Sequence, residues 1–317
     1  MIKYLKHHEI DKQRWDDCIS HSANSLIYAL SWYLDVVCPD WEALIKDDYQ
    51  YVFPLTPGKK YGIGYLYQPY FAQQLGIFSV HPIHAVITGM FISAIPKKYR
   101  LVEINLNESQ GIRTGDPVWD TDDKKMRFIQ NLNLKLSLNQ SYKELLSRYS
   151  QNTKRNLKKA RESGVSIVNT TSITEIIEMF RQHRGKDIEK MNDLAYTILQ
   201  SLAAECNQRG YLRILGAVAD GKLCAGVVFV SWHQHHILLF SAVNTQARHN
   251  GAMSLLVDSF IKEHAGSNGI LDFEGSNDVN LARFYHSFGS AENFYDSLRI
   301  NHLPFIIKAG LFLLRKK

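Results

Sequence analysis

"HHILLFSAVNTQARHNGAMSLLVDSFI", residues 235–261, is the stretch on which the fold turns. Its first ten residues are a mostly apolar run of strand length. From Arg248 to about His264 the apolar positions Leu256, Val257, Phe260 and Ile261 recur at helical spacing. Arg248, His249, Asn250 and Gly251 lie at the join. A helix start leaves backbone N–H groups without intrahelical acceptors and carries partial positive charge. Glycine lets another group come close to that backbone. A strand, a tight turn and a helix N-terminus in this order can hold a phosphate, although an ordinary strand-to-helix connection has the same outline.

The elements around this stretch extend the pattern. "YLRILGAVAD" (211–220) and "KLCAGVVFVSW" (222–232) read as strands, with Asp220-Gly221 as the hairpin turn between them. Helices are expected at 172–184 and 192–208, a short strand at "GILDFEG" (269–275), a helix at "DVNLARFYHSFG" (278–289) and a last strand at "AENFYDSLRI" (291–300). In the first half, 12–20, 28–38 and His81–Ile95 read as helices. Residues 41–47, 49–57, 99–106 and 127–138 read as strands, with Pro57-Gly58 as a turn and a polar loop after residue 106. Both halves contain helices feeding antiparallel strands and then a strand–helix–strand ending. The expectation is two related α+β units, 1–140 and 141–317.

The 317 residues are 45% hydrophobic and 21% charged, enough apolar material for a core. The net charge is +6, and it is local. Residues 141–163 hold seven cations and two anions. Within "NTKRNLKKARESG" (152–164), a helix capped by Asn152 or Thr153 and ended by Gly164 would carry Lys154, Arg155, Lys158 and Lys159. A charge run is usually a solvated face. This concentration instead suggests an anion, such as phosphates of a tRNA, a nucleotide-sugar or coenzyme A. No aromatic residue interleaves the cations. The four cysteines, Cys18, Cys38, Cys206 and Cys224, make no Cys-x-x-Cys pair, and no export signal is visible. Structural thiols in a cytoplasmic protein are expected. No apolar run reaches the length of a membrane span. The tail "LPFIIKAGLFLLRKK" (303–317) could rest on a membrane surface, and packing against the protein is the preferred reading.

The order of elements from Val165 onward resembles the GNAT acyltransferase superfamily. Arg248-His249-Asn250-Gly251 matches the first four positions of the family's Arg/Gln-x-x-Gly-x-Gly/Ala loop, with Met253 where Gly or Ala stands. The resemblance implies a donor site at Arg248, Asn250, Gly251 and Ala252. Tyr285 and Gly289 fit the family's Tyr-x-x-x-Gly-Phe, with Ser290 in place of Phe and Asn277 one position off. In many members that tyrosine protonates the departing thiolate. "SRYSQNTKRNLKKARESGVSI" and "GILDFEGS" are similar to the FemABX branch of tandem-GNAT proteins, which transfer amino acids from aminoacyl-tRNA. The resemblance implies two GNAT-like domains, each a mixed, mostly antiparallel sheet flanked by helices.

Asp272 and Glu274 alternate on their strand, so they point to opposite faces, and one could take a proton from an acceptor amine. Capping of nearby backbone is the competing reading for each. His233, His235 and His236 surround a turn without a Cys or carboxylate at ligand spacing, so no metal is expected. The reading is an acyl- or aminoacyl-transferase. It would use acyl-CoA or aminoacyl-tRNA as co-substrate and a small-molecule or peptide amine as acceptor. Its rival, which Met253 and Ser290 favour, is a catalytically degenerate scaffold that binds an anionic ligand or nucleic acid.

Overall fold

Strongly capped helices and apolar strands build an α+β architecture in the computed structural model, which describes residues 1–111, 125–169, 172–187, 191–275 and 277–303. The order begins β1 (Ile2–Leu5), α1 (Lys12–His21), α2 (Ser31–Val37), β2 (Glu42–Lys46), β3 (Tyr51–Leu55), β4 (Pro57–Lys60), β5 (Ile63–Tyr67), β6 (Phe78–Ser79), α3 (Ala85–Ser93) and β7 (Tyr99–Asn105). It continues with β8 (Met126–Ser137), α4 (Tyr142–Arg148), α5 (Gln151–Glu162), β9 (Ser166–Val168), α6 (Ile173–Gln182), α7 (Asp193–Gln208), β10 (Leu212–Ala219), β11 (Lys222–Trp232) and β12 (His235–Val243). It ends with α8 (Ala247–Asn250), α9 (Ala252–His264), β13 (Ile270–Asp272), α10 (Val279–His286) and β14 (Ala291–Asn301).

Two units result, Met1–Asn131 with Phe294–Lys317, and Leu132–Asn293. The expected division was 1–140 and 141–317; here residues 132–140 fall with the second unit and residues 294–303 with the first. In the first unit β1, β2, β3 and β6 lie side by side and antiparallel. β4 pairs antiparallel with β5, β5 parallel with β7, and β7 antiparallel with Ser297–Asn301 of β14. In the second unit the order is β8, β13, β12, β11, β10, β9, and only the β12–β13 pair is parallel. The mixed, mostly antiparallel sheets match the expected fold class.

Local chemistry explains most boundaries. Ser141 and Glu144 form a capping box at α4, as Ser172 and Glu175 do at α6. Asp220 and Gly221 take φ of 52° and 72°, which suits the tight β10–β11 hairpin. Some expectations need correction. Ser150, not Asn152 or Thr153, caps α5, accepting from the Thr153 N–H. Pro57 and Gly58 open the short strand β4, and the reversal falls at Tyr61-Gly62 instead, both with positive φ. β4 ends the strand order, where a proline costs no ladder hydrogen bond on its outer side. α3 starts at Ala85, three residues after Pro82. The helix expected to run unbroken from Arg248 is interrupted at Gly251, which sits at φ 75° between α8 and α9. All four cysteines are buried free thiols. Both readings of the tail, packing against the protein and resting on a membrane surface, fall on residues outside those described, apart from Leu303, and most of the polar loop after residue 106 also falls outside them.

Candidate active site

The second unit contains a cavity of about 760 Å³. Its origin lies in the sheet. β13 pairs with β12 only at His235, His236 and Ile237. From Leu238 onward β12 has no strand neighbour on that edge among the described residues. The β11–β12 register also slips at Val228/Phe229, leaving Leu239 as an extra residue. Such a bulge bends a strand and re-aims its groups. Leu238 and Ser241–Val243 line one wall of the opening, and Leu281, Phe284 and Tyr285 of α10 line the other. Arg248 lines it from α8, Gly251, Met253 and Ser254 line it at the start of α9, and Asn156 lines it from α5.

The residues expected to bind a donor divide by role. Arg248 is exposed and lines the cavity. The first-turn amides of α9 at Met253 and Ser254 have no acceptor within their own helix. Gly251 offers no capping side chain there. Asn250 is buried, and its Oδ1 accepts from the Ala252 N–H at 3.0 Å while its Nδ2 meets the Cys224 thiol at 3.8 Å. It is therefore a local cap rather than a ligand contact. Ala252 is fully buried in the core. Gly251 has a packing duty: a Cβ there would sit 2.3 Å from the Asn156 carbonyl oxygen. Its missing side chain lets α5 lie against α9.

Tyr285 is in place at the cavity wall, with its ring stacked on Phe273 at 4.8 Å between centroids. Burial first, and then the nearby charge of Glu274, hold its phenol above the ordinary range. The two acidic candidates part company. Asp272 is buried and accepts from both Asn133 Nδ2 (3.0 Å) and the Glu274 N–H (3.0 Å). His235 at 3.4 Å and Lys135 at 3.7 Å lie beside it. Although burial alone opposes the charge, these partners hold its carboxyl below the usual range. A carboxylate so satisfied is a poor base, and Asp272 is a structural anchor between β8, β12 and β13. Glu274 is half-buried at φ 51°, just beyond β13, and burial pushes its carboxyl up to about 8. That value suits proton uptake near neutral pH.

Lys154, Arg155, Lys158 and Lys159 do not line the cavity. The buried side of α5 is Thr153, Leu157 and Ala160. Lys154 donates to the Ser147 carbonyl at 3.0 Å, Lys158 stands 3.6 Å from Glu162, and Arg155 and Lys159 are exposed. Two charged residues of the lining were not candidates from the sequence. Arg184, just past α6, forms an ion pair at 2.9 Å with Asp278, and both line the cavity. Asp278 also caps α10, accepting from the N–H groups of Asn280 and Leu281. An aspartate directly before the apolar rhythm of 279–288 was a readable cap signal. Nothing local marked Arg184. Asn277 uses its Oδ1 on the Leu132 N–H. Ser290 donates to the Tyr285 carbonyl at 3.1 Å. No group of three or more metal-ligating side chains gathers among the described residues, and no helix among them is long and apolar enough to cross a membrane.

Residues 147–278 match the acetyltransferase (GNAT) domain family, a span that contains α5, the parted strands and the start of α9. Residues 147–278 are thus similar to a GNAT domain, and the fold is like that of FemX and of a tandem GNAT protein. The crystal structure of FemX superposes with a TM-score of 0.65 at 11% identity, covering 99% of this chain and all of that one. A tandem GNAT protein from the clavulanic acid biosynthesis pathway, solved without AcCoA, gives 0.54 at 10% identity, covering 96% and 99%. The structure of L-PGS from Bacillus licheniformis gives 0.55 at 11% identity, covering 96% of each chain. Among curated proteins, none matches this chain.

Proposed function

We propose that the chain is an N-acyltransferase that moves an acyl group from acyl-coenzyme A to an amine of a small molecule or peptide. The observation that carries this reading is the cavity at the parting of β12 and β13, with the first turn of α9 and Arg248 on its lining. The residues suit the donor's phosphates. The amides of Met253 and Ser254 and the guanidinium of Arg248 supply an open helix N-terminus and a cation. The donor brings an activated thioester carbonyl. The freed edge of β12 presents backbone N–H groups where charge develops on that carbonyl oxygen. Glu274, which does not line the cavity, accepts the proton of the attacking amine through water. Tyr285 stays protonated and delivers a proton to the leaving sulfur. Positioning does much of the rest.

Met253 on the cavity lining and Ser290 beside Tyr285 motivate the second reading, a scaffold that binds an anion without turnover. Calorimetry with acetyl-CoA and longer acyl-CoAs, followed by thiol release in the presence of amines, separates the two. Binding with thiol release supports transfer, and binding without it supports the scaffold. An absence of acyl-CoA binding overturns both the donor assignment and its site. The basic face of α5 belongs to the same reading as a second contact for a polyanion. Titration with tRNA across salt concentrations tests it, because each phosphate contact to a single strand steepens the log–log slope by about 0.7. A steep slope that collapses when Lys154, Arg155, Lys158 and Lys159 become Ala would move the donor toward aminoacyl-tRNA. A cytoplasmic site of action fits the four buried free thiols.

A further inference from the structure

The first unit holds its own cavity, of about 670 Å³, at the end of α3. Its walls are apolar: Ile92, Tyr99, Val102 and Ile300 are buried members of the core, and Ile95 and Met126 pack against it. Among the described residues its charged lining has one sign: Lys97, Arg100 and Lys125 line it, His302 joins them, and no described Asp or Glu does. Among the described residues Lys97 and Arg100 have no carboxylate partner, whereas their neighbours Lys98 and Arg299 pair with Glu42 and Glu103. We infer that this cavity binds an amphiphilic anion, an alkyl chain ending in a phosphate or carboxylate.

The polarity of the cavity sets the orientation. The carbonyl end of α3 disfavours negative charge beside it. The anion therefore sits at the rim, against the exposed Lys97 and Arg100, and the chain enters between Ile92, Val102 and Ile300. Small-ligand sites of this size are commonly apolar with a few placed polar groups. The outer face of α3 extends the same chemistry. Val86 and Met90 are 68% and 42% exposed, and at i and i+4 they share a line with Ser93 on the cavity lining. An exposed apolar line leading to a cavity with a basic rim suits a chain that arrives either free or from a bilayer.

The proposal does not depend on the transferase reading, and it can be tested on the full chain. Decyl phosphate, decanol and inorganic phosphate are titrated by calorimetry, with the surfactant below its micelle concentration. Decyl phosphate is expected to bind at least about tenfold more tightly than either part alone, a difference of about 1.4 kcal/mol or more. The Lys97→Glu/Arg100→Glu variant changes only exposed side chains and is expected to lose that advantage without a change in melting temperature. Met126→Trp, which fills the cavity, is expected to weaken decyl phosphate and decanol together. Equal binding of decanol and decyl phosphate, or equal binding by the charge-reversal variant and the parent, overturns the proposal. Vesicles with and without phosphatidic acid then identify the source. Binding of monomer and acidic vesicles, the latter lost in Val86→Ser/Met90→Ser, assigns a lipid surface. Binding of monomer alone assigns a free amphiphile. Binding of vesicles without monomer excludes the cavity.

Discussion

Gly251 offers the sharpest test, because the structure gives it a duty unlike that of an ordinary loop glycine. Its φ is +75°, and a Cβ would stand 2.3 Å from the Asn156 oxygen and 2.9 Å from its carbonyl carbon. Both are backbone atoms of α5, so no rotamer change can relieve the contact. Gly164 supplies the control: its φ is +65°, and nothing lies within 4 Å of its Cβ position. Gly164→Ala should therefore lose only the left-handed backbone term, roughly 1–2 kcal/mol. Gly251→Ala should lose that and the cost of forcing apart two packed helices, roughly a further 1–3 kcal/mol. For a unit of this size each kcal/mol moves the melting temperature by about 2–4 °C. Thermal denaturation followed by circular dichroism should show Gly251→Ala falling about twice as far as Gly164→Ala. Equal shifts would refute the close α5–α9 packing. They would return Gly251 to the simpler role of opening the helix start to a ligand.

Tyr285→Phe keeps the ring stacked on Phe273, so its melting temperature should barely move while amine-dependent thiol release falls by roughly 10²-fold or more. A large stability loss with intact turnover would make Tyr285 a core residue only. If Glu274 is the base, kcat/KM should rise with pH toward a plateau above about 8, and Glu274→Gln should remove that limb. The same group predicts a stability slope. Its folded pKa lies above its ordinary 4.5, so the folded state binds the extra proton and stability falls as pH rises from 4.5 to about 8, a slope that Glu274→Gln should flatten. Asp272→Asn leaves Lys135 beside a neutral group and should cost roughly 3–5 kcal/mol in urea denaturation. Turnover per folded molecule should stay unchanged, and a selective loss of turnover would restore Asp272 to the catalytic set.

Local signals carried much of the fold. Ser141 with Glu144, Asp220-Gly221 and Gly164 each act within a few residues, so the chain spells them out wherever they stand. The strand–turn–helix around Arg248 was legible for the same reason, as was the tyrosine four residues before Gly289. The strands β1, β5 and β6 were not legible. They are short, and each has a partner far along the chain: Ile2 faces Lys46, Tyr65 faces Leu101, and Phe78 faces Val52.

The site shows the same division more strongly. Sequence alone determined that a helix N-terminus with Arg248 follows an apolar strand, and that Asp272, Glu274 and Tyr285 stand nearby in the chain. It could not assign their work. Asp272 became an anchor because Asn133, Lys135 and His235 converge on it from two other strands, and their hydrogen bonds and charges outweigh the cost of burying it. Glu274, two residues on, has burial as the cause of its shift and so exchanges its proton at about 8 instead of near 4.5. Asn250 turned inward to cap α9, and Gly251 was claimed by the carbonyl of Asn156. Arg184 reached the cavity from just beyond the end of α6. Each outcome depends on which distant groups share a low-dielectric space. Only the folded chain sets those distances, because the energy of a charge or a contact is decided by its neighbours in space rather than along the sequence.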